Sequence, residues 1–506
     1  MFNARTKSRR PLHRPAPLQR SAPPRRRETA THGWTLNNAG SGHPFTRSEE
    51  NARLFDYEQR IKQAFAHIEP TLRQISALQH ETDFAPQAQA LAERELGFHL
   101  PDDKLTDTWV KPLDIAGLYA WCVFETFQRM SSEFFEVAPL ASADDDQFQQ
   151  FLERCGYHTL DVSPCADGRL AHVIRYVLRL PYKGVRRKSY AGAMFDVDDS
   201  LQKWVETEML RHREGRPNTA DAPTRYLKVA VYHHSSSQPD HEGCAAHGSD
   251  TRKAAAAALE RLQDFRRGVE NSFCCGASID LLLIGLDTDN DVIRLHLPDA
   301  DGDIDVDQHI DAAKLYDATQ RASASEAESA VLHYLEAHRG SRSLPAQGMM
   351  KLAARLLLAD LSQIDYVRRY HGGSYEDVGH QEWFIGMGIG FEEVQLRNLT
   401  YFAYLKTVEE GAKDMDVGIK IFSGLNVSRG LPVPIVIRCD YHGHVPGARE
   451  RAETRCHRLD DAVRNRFHHL AEQGLLHTLL MVRDCQGSGR GETIGSSLHP
   501  KELEKH

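Results

Sequence analysis

The sequence lacks any hydrophobic run that could cross a lipid bilayer. Its longest apolar stretches, such as LLLIGL at 281–286, fall far short of the roughly 18 residues that a spanning helix needs. No apolar segment near the N-terminus resembles a secretory signal. Cysteine is scarce as well, with nine residues in 506, and the number is odd. These absences argue against a membrane protein and against a disulfide-rich scaffold, and they predict a reducing, intracellular setting.

Charge is distributed unevenly along the chain. Residues 1–27 contain nine Lys or Arg, five Pro and no acidic residue, whereas the rest of the chain carries 53 basic and 71 acidic residues. Proline density and self-repulsion predict that this basic arm is disordered. Because an acidic body would repel nucleic acid, we expect the arm to tether an acidic protein partner instead.

Composition and periodicity divide the chain into four segments. We predict a disordered basic, Pro-rich arm at 1–47, a helical N-terminal domain at 48–142, a first α/β domain at 143–390 and a second α/β domain at 391–506. The helical segment spaces its apolar residues by three and four, as an amphipathic helix does. The fold class is therefore α/β in a multidomain (α+β) arrangement, with largely parallel sheets in the two C-terminal domains.

The segment 143–390 contains a strand–helix–strand pattern. LKVAVYHH (227–234) is short, β-branched and continuous, which predicts a buried strand. A polar loop and a helix capped by Ser249 or Asp250 follow it, and IDLLLIGLDTD (279–289) predicts the next strand. This order is typical of a right-handed βαβ unit in a parallel sheet.

A similar pattern recurs near the C-terminus. Here 433–442 and 475–484 predict strands, with a loop over GHVPGARERAETRC and then a helix between them. When the two strands are matched at their ends, Tyr441-His442 corresponds to Tyr232-His233. Cys244 follows His233 by eleven residues, but Glu453 occupies the corresponding position after His442. The segment DVSPCADGR at 161–169 of the first copy contains a cysteine, whereas its candidate counterpart at 420–430 has none. We therefore predict an internal duplication in which the C-terminal copy has lost its site.

In the first copy, residues of the types that bind metals lie near the ends of predicted strands and before a predicted helix. On an extended segment the side chains of Cys165, Asp167 and Arg169 would share one face. His233 ends a predicted strand, and Cys244 shortly precedes the next helix. Two thiolates and one imidazole are a standard ligand set for catalytic zinc, with a fourth position left open for water. A zinc hydroxide is then the expected nucleophile, with the carboxylate as its hydrogen-bond acceptor and the guanidinium keeping that carboxylate ionised.

The identity of the ligand histidine stays open between three candidates, His233, His234 and His241. His233 is preferred because it ends a rigid strand. His234 would face the opposite side of the strand. The Gly-rich GMGIG at 386–390 lacks the strand–helix context of a nucleotide-binding fingerprint, so no nucleotide site is predicted there.

The spacing C-x-D-x-R, a strand that ends in His and a cysteine that opens a helix resemble the β-class carbonic anhydrases. From about 161 to 435 the chain resembles more closely the carboxysomal (carboxysome shell) carbonic anhydrases, a divergent, epsilon branch of that class. Ordinary β-class enzymes separate the His and the second Cys by two residues, whereas the loop between His233 and Cys244 is expanded here. The segments that carry the resemblance include DVSPCADGRL, KSYAGAMFD, EGCAAHGS, CCGASIDLLLIGLDTD, HGGSYEDVGH and DVGIKIFSGLNVSRGLPVPI.

The resemblance implies an enzyme that interconverts CO₂ and bicarbonate inside carboxysomes, where it supplies CO₂ to Rubisco. It implies a β-carbonic-anhydrase-like zinc domain and a degenerate, zinc-less C-terminal copy. It also implies one Zn²⁺ per chain with Cys165, His233 and Cys244 as ligands, and a catalytic set of Asp167, Arg169 and His380. His380 would be a substrate contact or a proton-transfer group.

The resemblance also implies partners. Family members pair as homodimers, with higher assemblies left open, and their N-terminus recruits Rubisco or shell proteins, a role that the basic arm fits. No membrane or nucleic-acid partner is expected. Two other functions stay open from the sequence: a non-catalytic carboxysome scaffold with a structural zinc, and a Cys₂His zinc hydrolase or dehydrogenase. The intact Asp167–Arg169 pair argues against the scaffold, since a closed structural site needs no such dyad.

Overall fold

The computed structural model describes residues 47–106, 108, 111–137, 145–181, 185–273, 277–338, 343–403, 408–487 and 490–498. The predicted basic arm therefore lies outside the described residues, apart from Arg47. Among the described residues, no helix combines the length and the apolar character that a bilayer crossing requires.

The N-terminal domain is helical, as predicted. Its helices are α1 (Ser48–Ala66), α2 (Ile68–Ala77), α3 (Phe84–Leu96), α4 (Asp102–Leu105) and α5 (Ile115–Val137). Each turns an apolar stripe inward, and their core continues into residues of the second sheet such as Phe384, Val436 and Leu479. The helical domain therefore covers one face of the C-terminal unit rather than standing apart from it.

The first α/β unit surrounds a six-stranded sheet in the order β2-β1-β3-β4-β5-β6. Strands β1 to β4 are mutually parallel, and β5 and β6 run antiparallel at one edge. Its strands are β1 (Thr159–Pro164), β2 (Val185–Arg187), β3 (Thr224–His234), β4 (Ala277–Asp287), β5 (Ile293–His296) and β6 (Ile310–Asp311). Its helices are α6 (Asp145–Arg154), α7 (Val197–Arg213), α8 (Thr251–Phe273), α9 (Ala312–Thr319), α10 (Ala324–His338) and α11 (Gln347–Tyr370).

The second α/β unit has a five-stranded sheet in the order β11-β10-β9-β7-β8. Strands β7 to β10 are parallel, and β11 pairs antiparallel with β10. Its strands are β7 (Phe384–Ile389), β8 (Thr400–Ala403), β9 (Val433–Tyr441), β10 (Leu476–Asp484) and β11 (Gly491–Ser496). Its helices are α12 (Val408–Leu425), α13 (Ala448–Arg466) and α14 (His468–Glu472).

The two sheets share one topology, so the predicted fold class and internal duplication are confirmed. In each, the first strand of the unit pairs in parallel with the next two, the fourth strand follows in parallel, and an antiparallel strand comes after it. Strands β1 to β5 thus correspond to β7, β8, β9, β10 and β11. Strand β7 begins at Phe384, so the second sheet starts before residue 390.

Three details of the predicted duplication are wrong. The segment 420–430 forms the end of α12 and a 3₁₀ turn, so it does not follow a strand. The residues of GMGIG from 386 to 389 form the end of β7, although their glycines are untypical of a strand. Cys165 follows β1 directly and Gly390 follows β7 directly, so Gly390 is the counterpart of Cys165. The strand registers place Val231 opposite the end of β1 and Cys439 opposite the end of β7, so His233 corresponds to Tyr441 rather than to His442.

The loop that carries Cys244 has no equivalent in the second unit. Sixteen residues separate β3 from α8, whereas six separate β9 from α13, which begins at Ala448 inside the predicted loop. Glu453 is consequently a helix residue. The second copy thus lacks a segment that could approach the strand ends as the 235–250 loop does.

Ion pairs occupy the second copy's equivalent of the site. Arg438 is fully buried, donates from Nε to Asp440 Oδ1 at 2.9 Å and pairs with both carboxylate oxygens of Glu393. A Cβ atom added at Gly390, which has a φ of +117°, would overlap the carboxylate of Asp440. A cysteine at this position therefore could not occupy the place that Cys165 takes in the first copy.

This buried network yields a stability prediction. Arg438→Ala should lower the free energy of unfolding by about 3–5 kcal/mol, because it leaves the fully buried carboxylate of Glu393 without the cation that pairs with both of its oxygens. Denaturant unfolding monitored by circular dichroism measures the shift. The exposed pair between Arg449 and Glu453 supplies the control, since Arg449→Ala should leave the unfolding midpoint nearly unchanged. Equal midpoints for both variants would show that the buried network does not stabilise this unit.

Candidate metal centre

Three of the predicted site residues converge at the carboxyl ends of the central strands of the first sheet. Cys165 follows β1, His233 lies one residue before the end of β3, and Cys244 precedes a 3₁₀ turn at Ala245–His247. The two Sγ atoms and one ring nitrogen lie within 4.8 Å of one another, and all three side chains are buried. Parallel strands bring their carboxyl ends to one edge of a sheet, which is why residues 79 positions apart along the chain meet here.

The Cys165–Arg169 segment is a turn, and the prediction of an extended segment is wrong. The Asp167 carboxylate accepts the backbone N–H of Arg169 at 2.9 Å and caps a 3₁₀ turn at Gly168–Leu170. The second unit fixes the turn from outside, since the N–H of Asn398 donates to the carbonyl of Gly168 at 2.8 Å. Cys165 Sγ additionally accepts the N–H of Gly192 at 3.2 Å.

His233 is the histidine that the structure brings to the two cysteines. Its ring is fully buried, and neither nitrogen has a hydrogen-bond partner among the described residues, although Nε2 lies 3.3 Å from Asp167 Oδ2. His234 is buried away from this cluster, where burial lowers its pKa to about 3. His241 is exposed on the loop and belongs to no metal-binding cluster of the described residues.

The two thiols share a hydrogen bond. That bond lowers the pKa of Cys244, and together with burial it raises the pKa of Cys165 well above its usual range. A metal cation would replace the shared proton, since thiolates are the form that binds metals.

Asp167 and Arg169 form a buried, bidentate ion pair. The guanidinium donates to Asp167 through Nε at 2.9 Å and through Nη2 at 2.8 Å. Burial alone would raise the pKa of Asp167, but Arg169, His380 and His233 lower it well below its usual range. Asp167 is therefore a carboxylate, positioned beside the ligand cluster as a hydrogen-bond acceptor.

Arg169 also joins the segments around the site. Its Nη1 donates to the backbone carbonyl of Glu242 at 2.7 Å and to that of Val378 at 3.0 Å. Glu242 lies two residues before Cys244, and Val378 lies two residues before His380. One guanidinium thus holds Asp167, the cysteine loop and the histidine segment in a single arrangement.

His380 approaches the same carboxylate oxygen of Asp167 that His233 approaches. Its Nε2 is 3.6 Å from Asp167 Oδ2, and its Nδ1 is 3.0 Å from Glu382 Oε1. Burial alone would lower the pKa of His380, but the carboxylates of Asp167 and Glu382 raise it to about 9. A cavity of about 480 Å³ reaches this histidine and is also lined by Glu69 of the helical domain and Arg429 of the second unit.

Glu382 is the site residue that sequence reasoning missed. It is buried, and together with Asp167 and His380 it forms the second cluster of potential ligand atoms among the described residues. Its only signal in the sequence is its position two residues after His380. A carboxylate so placed reaches the histidine because the chain turns between 380 and β7, which no local pattern predicts.

The cluster of Cys165, His233 and Cys244 fits a soft divalent metal ion. Two thiols and an imidazole offer three S and N donors of the type that zinc prefers. The imidazole nitrogens of His233 are buried and unpartnered within the described part of the chain, an arrangement that is costly unless a ligand satisfies them. Asp167 stands beside the cluster and is held by Arg169, so it need not act as a ligand.

Comparison with known proteins covers nearly the whole chain. The Carboxysome Shell Carbonic Anhydrase family models match residues 43–135 (N-terminal), 147–380 (catalytic domain) and 381–498 (C-terminal). The chain is 51% identical over 510 residues, covering 100% of this chain and 99% of the relative, to a carboxysome shell carbonic anhydrase of Prochlorococcus marinus (strain MIT 9313). It is 53% identical to that of Parasynechococcus marenigrum (strain WH8102), covering 95% of this chain and 85% of the relative. It is 44% identical to that of Halothiobacillus neapolitanus (strain ATCC 23641 / c2), covering 89% of each chain.

These matches cover all three domains at an identity at which fold and domain order are shared, and the chain belongs to the carboxysome shell carbonic anhydrase family.

Proposed function

We propose that this carbonic anhydrase uses a single Zn²⁺, held by Cys165, His233 and Cys244, to interconvert CO₂ and bicarbonate inside carboxysomes and so supply CO₂ to Rubisco. Carbonic anhydrase activity and the carboxysome follow from the family. The observation that supports the zinc site is the convergence of two thiols and one unpartnered imidazole within 4.8 Å.

The chemistry divides between the metal and the chain. Zinc, when bound, acts as a Lewis acid that lowers the pKa of a water molecule toward neutrality. Asp167, ionised at neutral pH, accepts a hydrogen bond from the nucleophile and orients it. Arg169 keeps Asp167 ionised and fixed in position. Its positive charge balances that of the carboxylate in a site that excludes bulk water.

The second unit supplies an apolar wall for the substrate. Tyr401, Val417 and Ile421 line a small cavity of about 10 Å³ that also touches the three proposed ligands. This volume is close to that of one water-sized probe, so only a small molecule could enter without rearrangement. An apolar, narrow wall suits CO₂, which is linear and uncharged, better than it suits a large substrate.

Stopped-flow CO₂ hydration, with zinc quantified on the same sample, tests the proposed function. The zinc-loaded protein should hydrate CO₂ far faster than the buffer does, and removal of zinc by a chelator should abolish the difference. A protein that holds zinc and shows no hydration would instead support the scaffold with a structural metal.

Metal stoichiometry tests the ligand set. We expect about one zinc per chain, because the second copy has Gly390 and Tyr441 at the equivalent positions and lacks the cysteine loop. Cys165→Ser should lose both zinc and activity, whereas Cys485→Ser, at an exposed thiol of the second copy, should lose neither. Two zinc ions per chain would contradict the view that the second copy binds no metal.

The Asp167 carboxylate should be required for turnover without being a ligand. Asp167→Asn should retain zinc but lower kcat by about 10²-fold or more, because the amide cannot orient the nucleophile in the same way. Glu392→Gln is the matched control, since Glu392 occupies the position of the second copy that corresponds to Asp167, and its kcat should be unchanged. Near-normal hydration by Asp167→Asn with zinc retained would remove this carboxylate from the mechanism.

The basic arm should affect placement and leave the chemistry unchanged. Deletion of residues 1–27 removes nine Lys or Arg from a chain whose remainder is acidic. Turnover should stay the same, while binding to an acidic partner, with Rubisco as the first candidate and shell proteins as the second, should weaken. Binding of the intact protein should also fall as salt rises, because exposed charges are screened. Binding that survives the deletion would place the contact elsewhere in the chain.

The expected homodimer stays a prediction for sedimentation analysis.

A further inference from the structure

The buried carboxylate of Glu382 contacts two parts of the site at once. Its Oε1 accepts the backbone N–H of Gly168 at 3.1 Å and lies 3.0 Å from Nδ1 of His380. The side chain has no exposed surface, and its Oε2 has no hydrogen-bond partner among the described residues. A buried carboxylate is costly unless it is compensated, so its presence here needs a reason.

The turn of the dyad is shaped around this side chain. A Cβ atom added at Gly168 would overlap the carboxylate and Cγ of Glu382, so the glycine between Asp167 and Arg169 permits the close approach. The next residue, Trp383, donates its N–H to the carbonyl of Leu399 at 3.1 Å and begins the second unit's backbone pairing. Glu382 is therefore anchored from the second unit and reaches into the first.

Hydration releases a proton that must be carried away from the buried site. Hydration of CO₂ by water yields one bicarbonate ion and one proton, and that proton must leave a site in which Asp167 and the three proposed ligands are buried. His380 lies between Asp167 and the 480 Å³ cavity, and its side chain is partly exposed.

We propose that Glu382 is a positioning residue for proton transfer through His380. Its carboxylate accepts the Nδ1–H of the imidazole, which leaves Nε2 as the nitrogen that faces Asp167 and takes up the proton. Because the carboxylates of Asp167 and Glu382 favour the protonated ring, Nε2–H first gives its proton to water or buffer in the cavity, and Nε2 then takes up the proton that hydration releases. In bicarbonate dehydration the imidazolium supplies the proton that the reaction consumes. By holding the Gly168 N–H with the same oxygen, Glu382 fixes the ring relative to the dyad. The inference rests on the proposed hydration activity and gives the second unit a part in it.

A double-mutant cycle of kcat tests this role. Glu382→Ala should lower kcat by about 10-fold or more with zinc retained, and His380→Ala should lower it at least as much. In the His380→Ala background, Glu382→Ala should change kcat by less than about 2-fold, because a residue that acts through another has no further effect once that residue is gone. Addition of imidazole to the buffer should restore part of the turnover of both single variants and should not restore that of Asp167→Asn.

Two further variants guard against misfolding. Glu382→Leu fills a similar volume without an acceptor and replaces Glu382→Ala in the cycle if the alanine variant does not fold. Glu382→Gln retains an oxygen that can accept both N–H groups, so its kcat should be closer to that of the wild type than the kcat of either apolar variant.

Three results would overturn the inference: a wild-type kcat in Glu382→Ala, the same fold loss in both backgrounds, or no rescue of either single variant by imidazole. An inactive, zinc-loaded wild type would instead overturn the proposed function itself.

Discussion

The site depends on the buried ion pair between Asp167 and Arg169. Arg169 has no exposed surface, and each of its three nitrogen atoms donates to this site: two to Asp167 and one to the backbone carbonyls of Glu242 and Val378. These acceptors belong to the three segments that carry Cys165, Cys244 and His380. Loss of the guanidinium would leave a buried carboxylate and two buried carbonyls unpaired, a cost of several kcal/mol. The ion pair therefore holds these three segments together in addition to orienting the Asp167 carboxylate.

The second α/β unit is retained although its own equivalent of the site is blocked. Asp440 and Arg438 fill the space beside Gly390, and the loop that would supply the second cysteine is ten residues shorter. The unit nevertheless contributes to the first site, since Asn398 holds the Asp167 turn and Tyr401 walls the ligand cavity. The second copy thus supports the site of the first through these contacts, which need no metal in the second copy.

Much of this organisation could be predicted from the sequence, because the signals are local. Continuous β-branched runs predicted β3 and β9, and the ends of such strands indicated where Cys165 and His233 would meet. Strand β7 was missed because Gly386 and Gly388 give it the composition of a loop. The alignment of the two copies was wrong by one residue at His442, because the register depends on strand pairing that no local pattern encodes. Glu382 was missed for the same reason: its contacts with Gly168 and His380 arise from tertiary packing, and an isolated Gln-Glu-Trp sequence carries no sign of them.

The most direct test of the central claim is zinc K-edge X-ray absorption on the purified protein. The proposed ligand set predicts two sulfur scatterers at about 2.3 Å and one imidazole nitrogen at about 2.0 Å, with a further light atom at the open position. Cys244→Ser should remove one of the two sulfur scatterers or abolish binding. A spectrum with four sulfur atoms, or with none, would contradict the assignment of Cys165, His233 and Cys244 as the metal centre.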